Sequence, residues 1–115
     1  MEFIPATREI LESYYGEPRE HTTKAVVAVD DGKVVGVAGI SRIEGKWVAF
    51  MSATDEARKH KKEFVRGIRA FRKLLNGMNR PVYADADPKI NGSDLLLRHA
   101  GFKNRGMYYE WTQYH

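Results

Sequence analysis

Apolar and polar positions along this chain follow two periods, and the switch between them divides it. In the first half the period is two. Lys24 to Asp30 (KAVVAVD) and Lys33 to Ile43 (KVVGVAGISRI) are β-branched runs separated by Asp31-Gly32, a pair that favours a tight hairpin. Glu44-Gly45 makes a second tight turn into Lys46 to Ser52 (KWVAFMS), so three antiparallel strands in a meander are expected. Gly36 and Gly39, inside the second of these strands, point to a bulge or a bend. Ahead of the meander, Glu2-Phe3-Ile4 reads as a short opening strand. Thr7 then caps a helix that buries Ile10, Leu11 and Tyr14 or Tyr15 and ends at Gly16.

After the meander the period becomes helical. Ala57, Phe64, Val65, Ile68, Phe71, Leu74 and Leu75 recur on one side, with Lys62, Arg66, Arg69 and Lys73 opposite, and Asn76-Gly77 stops the run. Pro81 to Ala84 is a strand expected to lie parallel to Lys46–Ser52, because a helix of crossover length separates them. Ser93 to His99 is a short helix, capped near Asn91 and Ser93 and stopped at Gly101-Phe102. Gly106 to Gln113 (GMYYEWTQ) is the last strand. The order β-α-β-β-β-α-β-α-β predicts an α/β (α+β) fold with a mixed antiparallel and parallel sheet flanked by helices, in one domain over 1–115.

Composition excludes several classes. The 115 residues contain no cysteine, which removes disulfides, cysteine–zinc sites and thiol nucleophiles, and fits a reducing cytoplasm. No apolar run is long enough to cross a membrane as a helix, and the start of the chain (MEFIPATREI) lacks the basic and apolar regions of a secretory signal. A net charge of +4 is modest, but from Arg58 through Lys73 lie four Lys, four Arg and one His against the single Glu63. That block suggests an anionic partner: a phosphate-bearing cofactor, nucleic acid or an acidic protein. A solvated helix face accounts for the same run.

The element order resembles the GNAT superfamily of N-acetyltransferases over nearly the whole chain. Phe3-Ile4-Pro5-Ala6-Thr7 looks like the family's opening strand running into its first helix, and Leu97-Arg98-His99-Ala100-Gly101-Phe102 resembles its terminal helix. Only Glu17 to Thr23 separates the first helix from the next strand, so the family's second helix is missing and the acceptor side should be more open. The resemblance implies acetyl-CoA as cofactor. The pantetheine arm would pair with backbone where the central strand and its neighbour splay apart. The pyrophosphate would sit at the start of the long helix, aided by the helix dipole. This places Met51, Ala53, Arg58, Lys59, His60, Lys61, Lys62 and Asn91 around the coenzyme.

The family's loop carries an Arg or Gln followed by glycines that let the backbone approach the phosphates. An ungapped match from Met51 puts Glu56 at the Arg or Gln and Lys59 and Lys61 at glycines. Either the basic side chains hold the phosphates by charge, or they fill the groove. Many members also use a tyrosine four residues before the glycine of Gly-Phe as general acid; here that residue is Leu97, and Asn91 lies one residue closer to Gly101 than usual. Tyr108, Tyr109 and Asp85 are the substitutes, with Tyr83 and Asp87 beside them. The bland alternatives are that strand tyrosines pack and that Asp85-Ala86-Asp87-Pro88 forms a turn. Two carboxylates alone are weak evidence for a divalent cation, and no Ser-His-Asp or metal-ligand spacing is present.

A small GNAT-like family of short-tailed bacteriophages, which includes an internal virion protein, shows a similar Lys/Arg-rich helix without the glycine loop or the tyrosine. That likeness rests on Arg58 to Lys73, Asn91 with Ser93, and Leu97. Three readings follow. One is an acetyl-CoA-dependent N-acetyltransferase with an atypical basic loop. Another is a catalytically degenerate phage protein acting through a protein partner or as a homodimer, in the host cytoplasm or the virion. The third is nucleic-acid binding through 58–73, with Trp47 or a tyrosine stacking on bases.

Overall fold

A computed structural model of the chain describes residues 1–18, 21–85 and 97–112. The expected cap at Asn91 and Ser93, the first residues of the 93–99 helix, Asp87 and Gln113 lie outside the described residues. The elements are β1 (Glu2–Pro5), α1 (Arg8–Tyr15), β2 (Thr23–Asp30), β3 (Lys33–Ile43), β4 (Lys46–Ala53), α2 (Asp55–Arg58), α3 (Lys61–Asn76), β5 (Val82–Ala84), β6 (Lys103–Asn104) and β7 (Tyr109–Trp111). The strands form one seven-stranded sheet in the order β1-β2-β3-β4-β5-β7-β6. β4 and β5 are its parallel pair, and the remaining pairs are antiparallel.

The meander forms as its turn residues dictate. Asp31 and Gly32 have φ of 52° and 75°, and Glu44 and Gly45 have 50° and 80°. Two successive left-handed residues make the type of turn whose twist matches an antiparallel hairpin. The bulge lies at Gly36: Ala28 pairs with Gly36 but Val29 pairs with Val34, leaving Val35 as the extra residue. Gly39 has a different purpose, a close approach to Ala25 across the strand pair.

The sheet's two faces have separate cores. On one, α3 lays Ile68, Phe71 and Leu75 over Ile40, Trp47, Val82, Ala84, Tyr109 and Trp111, with Ala100 and Phe102 joining from the chain's end. The rings of Phe71 and Phe102 stack with centroids 6.4 Å apart. On the other, α1 places Leu11 on Ala25, Val27 and Val37. Thr7 caps α1, its Oγ1 accepting from the Ile10 amide at 3.2 Å, and Gly16 closes the helix in the left-handed conformation. Thr7→Ala is expected to cost about 1 kcal/mol, measured as a lower urea midpoint with an unchanged slope.

Two expectations need correction, the long helical run and the last strand. The helical run beginning at Ala57 is two elements: the Thr54 hydroxyl accepts from the Ala57 amide at 3.2 Å, capping a separate turn before α3 starts at Lys61. Asn76-Gly77 does stop α3, with Gly77 in right-handed conformation and its N–H donating to the Leu74 carbonyl at 3.3 Å. The last strand is only Tyr109–Trp111; Gly106, at φ 99°, turns the chain out of β6 and donates its N–H to Asn104 Oδ1 at 2.8 Å. No helix among the described residues is long and apolar enough to cross a membrane.

Candidate functional site

The parallel contact between β4 and β5 consists of two residue pairs, Trp47 with Val82 and Val48 with Tyr83. β4 runs on through Ala53, bonded along its other edge to β3. Among the described residues, the β5-side edge of Ala49 to Ala53 therefore has no strand partner. The two strands part at Val48 and Tyr83.

At the open end of this gap the chain coils through α2 into α3. The amides of Lys61, Lys62 and Glu63 occupy the first turn of α3, where no carbonyl of the same helix can accept from them. Lys59, His60 and Lys62 are exposed around this terminus. Arg58 ends α2 and Lys61 opens α3. Glu63 is the acid of this first turn, and Arg66 neutralises it at 3.0 Å. The non-glycine residues with left-handed backbone, among those described, are Asp31 and Glu44. Lys59 and Lys61 thus stand in a compact turn and a helix start, with no glycine-type concavity.

Met51 and Ala53 point to the α3 face of the sheet. There they line a cleft of roughly 500 Å³, open to solvent, between β1–β4 and the first turns of α2 and α3, with Phe3, Ala28, Gly36, Ala57, Phe64 and Gly67 among its walls. This cleft lies on the β3 side of β4, away from the gap toward β5. Asn91 lies outside the described residues.

The three catalytic candidates separate. Tyr109 is buried in the core beside Phe102 and Trp111, its hydroxyl within 3.5 Å of Asn104 Nδ2. Asp85 is exposed just after β5. Tyr108 is 43% exposed, and its ring meets that of Tyr83 edge-on at 5.7 Å. Leu97 packs against the α3 core. Trp47 is 8% exposed, with Lys24 and Arg42 lying 5.8 and 5.9 Å from its ring, so it offers no face for a base. No group of three His, Asp or Glu side chains converges among the described residues.

Two features escape sequence reasoning. On the α1 face, the Tyr14 hydroxyl and Ser52 Oγ are 3.1 Å apart, bringing a helix phenol onto the unpaired half of β4. On the same face the Lys46 ammonium lies 5.8 Å from the centre of the Tyr83 ring. Strand alternation puts residues 46, 48, 50 and 52 on one face; which residues of other elements meet them depends on register and helix packing.

No protein-family model and no curated protein matches the chain. Among solved structures, it is similar to the acetyltransferase from Agrobacterium tumefaciens str. C58, with a TM-score of 0.55 and 10% identity over 92% of this chain and 67% of that chain. The fold is therefore that of a GNAT-like acetyltransferase, a mixed α+β sheet with few helices.

Proposed function

We propose that the protein is a GNAT-type N-acetyltransferase using acyl-CoA, with a basic pyrophosphate site. The observation that supports this best is the parting of β4 and β5 after Val48 and Tyr83, with β4 running on to Ala53 and leading through α2 into α3. An extended amide-bearing arm fits such an edge, because its N–H and C=O groups can continue the ladder that β5 leaves. The arm would lie along Ala49 to Ala53, and the phosphates would reach the first-turn amides of α3 with Lys59, His60 and Lys62 around them. Bound acyl-CoA would supply the activated thioester; the chain's own groups hold and orient it. The lysines here bind as point charges, so affinity should depend on salt more steeply than in a glycine cradle.

Acetyl-CoA is expected to raise the melting temperature, by on the order of 5 °C at ten times its Kd, since only the folded chain offers the site. The rise should shrink in high salt and in the K59A/H60A/K62A variant. A flat melting curve at millimolar coenzyme would discard the proposal. It would favour the second reading, a non-catalytic phage-type module working through protein contacts. Two observations support that alternative: the compact turn at Lys59 and the packing of half-buried Leu97 against the core.

A further inference from the structure

We infer that Lys46 is an acceptor of the protein's own acyl transfer, a self-acetylation site at the apex of the gap between β4 and β5. The inference rests on the acyl-CoA reading above and adds to it the class of nucleophile and its place. Val82 and Ala84 are buried in the α3 core, so Tyr83 between them points to the opposite face of the sheet. Lys46 and Val48 point to that face too. Val48 is the partner of Tyr83 in the last β4–β5 pair, and the Lys46 Nζ lies over the Tyr83 ring at 5.8 Å. The negative ring face attracts an ammonium, and the edge contact with Tyr108 sets the ring's tilt.

A primary amine is thus held where the two strands begin to part. An acyl-CoA arm running along Ala49 to Ala53 from phosphates at α3 would bring its thioester end to this apex. Higher on the same face α1 closes the sheet, with Tyr15 against Phe50 at 6.4 Å and Tyr14 against Ser52. Lys46, by contrast, is exposed. In the transfer, the ammonium first releases a proton to solvent. The neutral Nζ then attacks the thioester carbonyl carbon, a C–N bond forms and the C–S bond breaks. The departing thiolate takes up the second proton, leaving acetyl-lysine, coenzyme A thiol and one proton in solution. Acetylation removes the cation from Tyr83.

The test incubates the full chain with acetyl-CoA and reads acetylation by intact mass and peptide mapping, alongside the thermal titration. Lys33, exposed beside the Asp31-Gly32 turn at the other end of β3, reports background chemical acetylation. Lys46 is expected to react at least tenfold faster than Lys33. Desulfo-CoA, which has no thioester, should bring Lys46 down to the Lys33 rate. Lys46→Arg should remove the modification while keeping the melting response to coenzyme, and Tyr83→Leu should slow labelling severalfold. A thermal response with Lys46 labelled no faster than Lys33 overturns this inference and leaves the acyl-CoA reading standing. No thermal response and no selective labelling overturns both.

Discussion

Phe71→Ala is expected to lower stability by about 3–5 kcal/mol, the largest loss from any single truncation proposed for this chain. Phe71 is 1% exposed at the centre of the larger core, where α3 meets both the meander and the closing strands, and it stacks on Phe102. Removing the ring leaves a hole between elements distant in sequence, and β-strands below cannot move up to fill it without breaking register. Domains of this size have only about 5–15 kcal/mol of net stability, so the melting temperature should fall by on the order of 15 °C. Chemical denaturation followed by far-UV circular dichroism measures the loss. Because Phe71 lies far down α3 from Lys59 and Lys62, the residual folded fraction should still respond to acetyl-CoA. A loss below 1 kcal/mol would mean that Phe71 is not central to the core.

Gly39→Ala should be the next most damaging, although it adds only one methyl group. A Cβ at Gly39 would sit 2.5 Å from the Ala25 Cβ and 2.6 Å from the Lys24 carbonyl oxygen. Both obstacles belong to β2, which is held between β1 and β3 and cannot retreat. Overpacking against backbone costs about 1–3 kcal/mol. Gly36→Ala is the control within the same strand. Its added Cβ would meet Ser52 O, Ala28 Cβ and Ala53 Cβ at 3.4, 3.7 and 3.8 Å, ordinary contacts. That substitution is expected to be neutral or to stabilise by roughly 0.4–1 kcal/mol, by restricting the unfolded chain. Equal effects at the two glycines in parallel urea titrations would refute the assigned difference.

The contrast between these glycines shows how far pattern reading reaches. Both stand in the same β-branched run, and sequence marks each as an irregularity. Only register separates them, since Gly36 borders the Val35 bulge and Gly39 lies against Ala25. The long helix behaves similarly. Its apolar spacing placed Ile68, Phe71 and Leu75 inward correctly, yet Val65, counted with them, is 49% exposed. Spacing defines a helix side to within a turn, whereas the width of the buried stripe depends on what packs against it. Among the tyrosines, alternation alone separates Tyr108 from Tyr109. The core takes Tyr109, while Tyr108 stays at the surface against Tyr83.

What the sequence determined by itself is local: both hairpin turns, the Thr7 cap, the Gly16 stop, the meander and the crossover that makes β5 parallel to β4. Each follows from conformational preferences of a few adjacent residues, or from the rule that a helix between two strands leads to a parallel pair. Tertiary structure decided how far β4 and β5 stay together, that Lys59 and Lys61 stand in a turn and a helix start, and that Lys46 lies on Tyr83. These depend on strand register, sheet twist and the docking of α1 and α3, which join residues tens of positions apart. The physical reason is that side-chain pattern selects an element and its buried face, while the meeting of two elements is settled by their packing as a whole.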